Sequence, residues 1–361
     1  ALILAREKSQ ISNLEISDLR QDEDALDTWF SSWLWPMSVF DGLLDPENKD
    51  INYYYPTSDL VTGPDIIFFW VARMIMAGIE YRKEVPFKNV YFTGIVRDKQ
   101  RRKMSKSLGN SPDPIELIEK YGADGVRVGI LLSSAAGNDL LFDEELMLQG
   151  RNFATKIWNS NKLIQGWKKD DAIKANKADR QAIDWFGNQM DKTIAEIADQ
   201  FDKFRISDAL HLVYKLIWDD FCSWYLEAIK PNYGEAISTE VYDRTIQYFE
   251  ELMKLLHPFM PFLSEELWQN ISERSIENAL VIAQQRKVQP YNSDIINQFE
   301  ISKELISGVR NYRQSKGISP RESVEVFTNA VSFDNENLVK KLANIEQIYF
   351  AEKTDKPTFS F

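Results

Sequence analysis

Lys103-Met104-Ser105-Lys106-Ser107 sets two ammonium groups three positions apart with small hydroxyls nearby, in a stretch that also holds Arg97, Lys99, Arg101 and Arg102. Cations at that density suit a polyanion. Lysine is a compact charge on a long stem and can follow phosphate oxygens as charge moves during a reaction, whereas the arginine fork suits a fixed bidentate grip. Taken alone such a run reads as a solvated loop, because most charge runs do no chemistry. Its setting points elsewhere. Ser58 to Thr62 and Phe87 to Gly94 both read as strands, so the basic stretch leaves a strand end in an alternating α/β unit, where open parallel sheets bind ligands. Downstream, Asp113 as N-cap, Pro114 at the first helical position and Glu116 at the third predict a capping box that opens a helix over Pro114 to Lys120.

A second set of candidates lies at the end of the first strand. In Leu60-Val61-Thr62-Gly63-Pro64-Asp65, Gly63 permits close backbone approach to a ligand and Asp65 stands at a helix N-terminus. Asp65 reads as an N-cap, as a carboxylate aimed at ribose hydroxyls, or as both. The helix expected over Asp65 to Gly78 places Ile66, Phe69 and Trp70 on one side, mostly as core, with Trp70 one turn in and within reach of the site. Upstream, an acidic approach from Asp22 leads to Trp29, Trp33 and Trp35, which reads as a hydrophobic cluster or a pocket wall.

The elements that must position these residues follow from length and pattern. A chain of 361 residues holds about two or three domains at ~100 to 200 residues each. Beyond Glu144 helix follows helix: an amphipathic run carries Ile206, Leu210, Val213, Ile217, Phe221 and Trp224 with Ser207 as its cap, another helix spans Glu240 to Leu256, and Met260-Pro261 opens one more. Lys168 to Asp179 reads as an exposed connection. After about Val281, Val324-Glu325-Val326-Phe327 alternates like a strand, and Arg310, Arg313 and Lys316 form a basic stripe that reads as a solvated face or, more weakly, an RNA-facing one. The fold class is therefore α/β followed by an all-α bundle.

Several functions are disfavoured. A net charge of −12 argues against a general nucleic-acid binder, although local patches decide docking. Cys222 is the only cysteine, which excludes an internal disulfide and a thiolate metal cluster and fits a reducing cytoplasm. His211 and His257 carry no partner pattern, so general acid/base or metal chemistry is not expected. The apolar stretch Leu60 to Ile79 is near membrane-span length, but Asp65, Arg73 and the Gly63-Pro64 break make it a buried strand and helix. The sequence starts at Ala1 with no initiator Met and no start signal, as a piece of something longer would.

Lys103 to Ser107 resembles the second signature of the class I aminoacyl-tRNA synthetases, and Asp113-Pro114 with Tyr121-Gly122-Ala123-Asp124 continues the resemblance. Asp27 to Ser32 and Thr62 to Met74 are similar to the valyl-tRNA synthetase family. So are Arg151-Asn152-Phe153 with Lys156 to Asn159, and His257 to Phe262 with Glu265 to Trp268, which resemble its anticodon-binding helices. The resemblance covers nearly the whole chain. It implies the C-terminal half of a Rossmann-like catalytic domain over residues 1–112, a stem-contact connection over 113–150, an anticodon-binding helical bundle over 151–280, and the start of a mixed α/β region over 281–361.

The activity so implied is ligation of valine to tRNA(Val) through valyl-adenylate, with ATP as cosubstrate and Mg²⁺ as its counterion, in a cytoplasmic enzyme that is a monomer at full length. Lys103 and Lys106 would be catalytic, neutralising the departing pyrophosphate. Gly63, Asp65 and Ser105 would hold ATP with them, and Trp29 and Trp70 would wall the valine side chain, leaving threonine as the expected error. No resident metal and no membrane contact are implied. The family's His-x-Gly-His signature, its editing insertion and its C-terminal coiled coil are not in this sequence, and Pro64 departs from the pattern. The isolated chain is therefore expected not to activate valine and to leave a strand edge or sheet face bare. An isoleucyl-tRNA synthetase, a non-catalytic tRNA-binding module and an unrelated nucleotide-binding protein are the competing readings.

Overall fold

The computed structural model describes residues 2–133, 138–328 and 335–350. The chain forms two compact units, Ala1–Thr93 and Gly94–Phe361. In the first, helix α1 (Thr28–Trp33) starts at Asp27, whose carboxylate accepts a hydrogen bond from the Trp29 amide at 3.2 Å. Strand β1 (Thr57–Thr62) crosses over to helix α2 (Ala72–Arg82) and returns as strand β2 (Phe87–Phe92), parallel to β1 with Thr57 opposite Phe87 and Thr62 opposite Phe92. Val71, Met74 and Phe87 are buried together against the pair. Among the described residues neither strand has a further partner, and Val61 is 59% exposed.

The crossover corrects the expected helix start. A 3-10 turn, Pro64–Ile66, and a π-helical turn, Ile67–Val71, precede α2. The extended backbone that a cap requires falls on Gly63 (φ −80°, ψ 149°), because the Pro64 ring fixes a helical φ one residue ahead of Asp65. Asp65 is therefore not the N-cap. The wider π turn also changes which residues share a face: Phe69 is 53% exposed and Phe68 81%, so only Trp70 of the expected row joins the core cluster.

In the second unit, strand β3 (Val96–Arg97) pairs in parallel with strand β4 (Leu140–Leu141). Between them run helices α3 (Pro114–Tyr121) and α4 (Ala123–Ser133), and helix α5 (Glu144–Gln165) follows β4. Asp113 caps α3 by accepting from the Ile115 amide at 2.7 Å, without the reciprocal bond that a capping box would add. Helices α4 and α5 meet backbone to backbone. A Cβ on Gly150 would lie 2.4 Å from the Gly125 carbonyl oxygen, and one on Gly129 would lie 2.7 Å from the Met147 amide.

Helices α6 (Lys177–Asp202), α7 (Ile206–Lys215), α8 (Thr239–Leu256) and α9 (Pro261–Ile271) complete the bundle, with α7 continuing into a π-helical stretch over Leu216–Tyr225. Phe153, Trp185, Phe186, Leu210, Phe221, Tyr225 and Phe249 are at most 1% exposed and form its centre. Ser207 is not the cap of α7. Phe204 takes a left-handed φ of 57° that turns the chain early, Arg205 occupies the cap, and the Ser207 hydroxyl donates instead to the Leu132 carbonyl at 3.3 Å. The connection from Lys168 is exposed as far as Lys174 but holds a two-residue strand, Lys169–Asp170, paired with Ile237–Ser238. At its end Asp179 is buried and shares a reciprocal cap with Asn176.

The last part holds helix α10 (Ser293–Lys316), strand β5 (Val324–Thr328), helix α11 (Glu336–Ala343) and strand β6 (Ile345–Phe350), with β5 and β6 parallel. Of the basic stripe on α10, Arg310 and Lys316 are exposed, as on a solvated face, and only Arg313 departs from it. Arg313 is 4% exposed and donates to the carbonyls of Ser319, Glu322, Ala343 and Asn344, while Arg310 donates to the Leu342 carbonyl and lies over the Trp224 ring. Carbonyls exposed at the turns after α10 and α11 draw the guanidinium in, which a sequence period cannot foretell. A methyl added at Gly150 meets backbone rather than a movable side chain, so Gly150→Ala is expected to cost about 1–3 kcal/mol in urea unfolding. An unchanged midpoint would contradict the close packing of α4 on α5.

Candidate active site

The basic stretch leaves β3 and folds as a compact loop. Asp98 organises it: one carboxylate oxygen accepts from the Gln100 amide at 3.0 Å and the Arg102 amide at 2.8 Å, and the other accepts from Arg102 Nε at 2.8 Å and Asn110 Nδ2 at 2.9 Å. The Asp98 amide donates to the Arg102 carbonyl, the Arg101 amide donates to the Asp98 carbonyl, and Arg101 takes a left-handed φ of 65°. Lys103 bridges back to Arg97 in antiparallel fashion. On the far side, the Ser105 amide donates to Asn110 Oδ1 at 2.9 Å, the Ser105 hydroxyl accepts from the Leu108 amide and lies 3.1 Å from the Ser107 hydroxyl, and Lys106 opens a 3-10 turn, Lys106–Leu108.

The structure sorts the cations. Arg97 pairs with Asp139, Lys99 with Asp143 at 3.2 Å, and Arg102 with Asp98. Asp139 also accepts from the Ile95 amide, and Asp143 caps α5 through the Glu145 amide. Lys103 and Arg101 are exposed and make no ion pair among the described residues. Three of the expected phosphate-facing cations are thus struts. An open cleft of about 440 Å³ lies beside the loop, lined by Asp98, Arg102, Met104, Asn110, Phe142 and Glu144 among others.

The mount of this loop is tied to the bundle. Asp124 at the start of α4 is buried and accepts from the Leu263 amide at 2.7 Å and, more weakly, the Phe262 amide at 3.4 Å, at the head of α9, where Met260 offers no capping side chain. Arg127, one turn on, donates to the carbonyls of Pro258 and Phe259. Burial pushes the Asp124 carboxyl above its ordinary value, partly offset by those two amides.

In the first unit, nothing lies within 4 Å of where a Gly63 Cβ would stand, and its φ is one that any residue adopts, so the gap is the feature that an approaching group would use. Asp65 is exposed, and its carboxylate makes no hydrogen bond or ion pair among the described residues. Trp29 and Trp70 are half-buried. Trp29 lies 6.1 Å from Phe69 between ring centroids, and the Trp70 indole donates to the Ser32 carbonyl at 3.0 Å, which also gives it a structural task. Gly63, Asp65, Trp29 and Trp70 belong to this unit, and Lys103, Ser105 and Lys106 to the other.

Burial pushes the Cys222 thiol up to about 11, and the histidines are engaged locally, His211 with the Ser207 carbonyl and His257 with the Ser264 hydroxyl. Among the described residues no group of three or more His, Cys, Asp or Glu side chains could hold a metal ion. Sequence reasoning missed Asp98 and Asn110. The four-residue spacing from Asp98 to Arg102 and the Gly109-Asn110 turn pair were the available signals.

Two family models match the chain. Residues 3–143 match the class I tRNA synthetases for isoleucine, leucine, methionine and valine, and residues 184–328 match the anticodon-binding domain of tRNA ligases. The chain belongs to the class I aminoacyl-tRNA synthetases. It is similar to the valine–tRNA ligase of Christiangramia forsetii, at 55% identity over all of this chain and 42% of that protein. It also resembles that of Phocaeicola vulgatus, at 56% over all of this chain and 41% of that protein. Within the class it therefore falls in the valine–tRNA ligase family. The chain spans about 40% of the length of these curated relatives. Among solved structures it shares its fold with the LeuRS–tRNA–LeuAMS ternary complex of Agrobacterium radiobacter K84, at a TM-score of 0.58 and 18% identity, covering 81% of this chain and 36% of that one. Mycobacterium tuberculosis methionyl-tRNA synthetase in complex with methionyl-adenylate gives 0.53 at 18% identity, covering 73% and 54%.

Hydrogen bonding to Asn110, then to the Arg102 amide and guanidinium, holds the Asp98 carboxyl at about 2 instead of 3.8. A carboxyl depressed on folding contributes order above its unfolded value and loses it only as the pH falls through the folded one. The Arg102 amide resonance is therefore expected to keep its place through pH 3.8 and to move only toward about 2. A midpoint at the ordinary carboxylate value would contradict the loop geometry.

Proposed function

We propose that the whole protein joins valine to ATP, releasing pyrophosphate, and passes the valyl group from the adenylate to the terminal ribose of tRNA(Val). The exposed Lys103, unpaired among the described residues in a loop where Arg97, Lys99 and Arg102 are neutralised, carries this reading. A lysine ammonium that spends its charge on no carboxylate is available for charge developing on a leaving diphosphate, and such stabilisation needs no covalent protein intermediate. Lys106 and the Ser105 hydroxyl act beside it. Gly63 and Asp65 receive the adenosine ribose, with Asp65 unspent on any cap, and Trp29 and Trp70 bound the valine side chain. Mg²⁺ arrives with ATP as its counterion.

Valine is favoured over isoleucine by the relatives at 55% and 56% identity. Residues 1–112 serve as the catalytic half-domain, 113–150 as the stem contact, 151–280 as the anticodon bundle and 281–361 as the start of a further region. The protein works in the cytoplasm, as a monomer at full length, and no helix of the described residues is long and apolar enough to cross a membrane. The 361 residues alone do not activate valine. In the full-length protein, Lys103→Ala with Lys106→Ala is expected to lower valine-dependent ATP–pyrophosphate exchange by roughly 10²–10³-fold, the scale of losing a transition-state electrostatic contact. Exchange at the parent rate would refute the assignment.

A further inference from the structure

We infer that Asp98 and Asn110 are positioning residues that act through Lys103, forming a clasp that fixes the loop backbone and so aims the Lys103 ammonium. The inference rests on the proposed role of Lys103 and adds the groups that hold it.

The Asn110 amide spends both of its donors and one acceptor site on the loop. Oδ1 accepts from the Ser105 amide at 2.9 Å, while Nδ2 donates to the Asp98 carboxylate at 2.9 Å and to the Lys103 carbonyl at 3.3 Å. Asp98 holds the other side, through the amides of Gln100 and Arg102 and the Arg102 guanidinium. Lys103 is thus gripped at its own carbonyl, just before it through Arg102 and two residues after it through Ser105.

The chemistry at each position is specific. Aspartate at 110 would lose both donors and place a second carboxylate where Asp98 now receives an N–H, so repulsion would open the clasp. Asparagine at 98 would remove the charge that organises Arg102. Neither residue needs to touch substrate, and the loop gains its order from side chains instead of a buried apolar core, since Lys103, Ser107, Leu108 and Gly109 are exposed. A group that aims a cation affects the chemical step more than amino-acid binding, because small misplacements of a reacting group cost large factors in rate.

The test uses the full-length protein with Asn110→Ala, Asn110→Asp and Asp98→Asn, and Lys103→Ala as reference. Two quantities are read: valine-dependent ATP–pyrophosphate exchange, split into kcat and the KM for valine, and the rate of tryptic cleavage after Arg101, Arg102 or Lys103 under native conditions. Asn110→Asp is expected to lower kcat by about tenfold or more with the KM for valine unchanged, and to speed cleavage in the loop about tenfold. Asp98→Asn should give the same pattern independently, with circular dichroism confirming that each variant is folded. Parent-like kcat and cleavage in the folded Asn110 variants would overturn the clasp. Should Lys103→Ala leave exchange intact, the reading of the lysine fails, while the cleavage rates still decide whether Asp98 and Asn110 hold the loop.

Discussion

Like-charge repulsion is the constraint that this part of the molecule is built around. Arg97, Lys99, Arg101, Arg102, Lys103 and Lys106 fall within ten residues, and unit charges a few ångströms apart repel by about 1 kcal/mol even in water, more against protein. The loop can be compact only if some of that charge is cancelled. Asp139, Asp143 and Asp98 cancel it at Arg97, Lys99 and Arg102, all outside the signature itself. Exposed pairs of this kind add little stability. Their value is geometric: among the described residues they leave Arg101 and Lys103 without a counterion, so a polyanion arriving at Lys103 need not first displace a carboxylate.

A positioned charge also needs a stiff mount. The loop runs into α3, α3 into α4, and α4 lies against α5 with glycine backbones in contact at Gly125, Gly129 and Gly150. Asp124 and Arg127 then fasten the start of α4 to the turn between α8 and α9. Each partner supplies what the other lacks, since Asp124 takes unsatisfied amides of a helix start without a capping side chain and Arg127 takes carbonyls left by the preceding turn. The signature loop and the bundle core are thereby joined through short, well-packed segments.

Much of this was legible in the sequence. The parallel strands at Thr57–Thr62 and Phe87–Phe92, the cap at Asp113, the helices opening at Glu144 and Pro261 and the core row from Leu210 to Phe221 follow from local periodicity and capping chemistry. What local pattern could not give were outcomes decided by distant partners or backbone irregularity. The Pro64 ring moved the cap from Asp65 to Gly63, the π turn rotated Phe69 outward, and left-handed Phe204 displaced Ser207 from its cap. Arg313 looked like one rung of a basic stripe, yet carbonyls from two turns bury it. At the candidate site the cations were all visible, but not which ones Asp139 before β4 and Asp143 at the head of α5 would claim.

The single-turnover rate of valyl-adenylate formation in the full-length protein, compared between Lys103→Ala and Lys99→Ala, tests this division of labour most directly. The account predicts a fall of roughly 10²-fold or more for Lys103→Ala, the scale of a lost transition-state contact, and a change of only a few-fold for Lys99→Ala, whose charge is spent on Asp143. Equal losses for the two lysines, or none for Lys103, would contradict it.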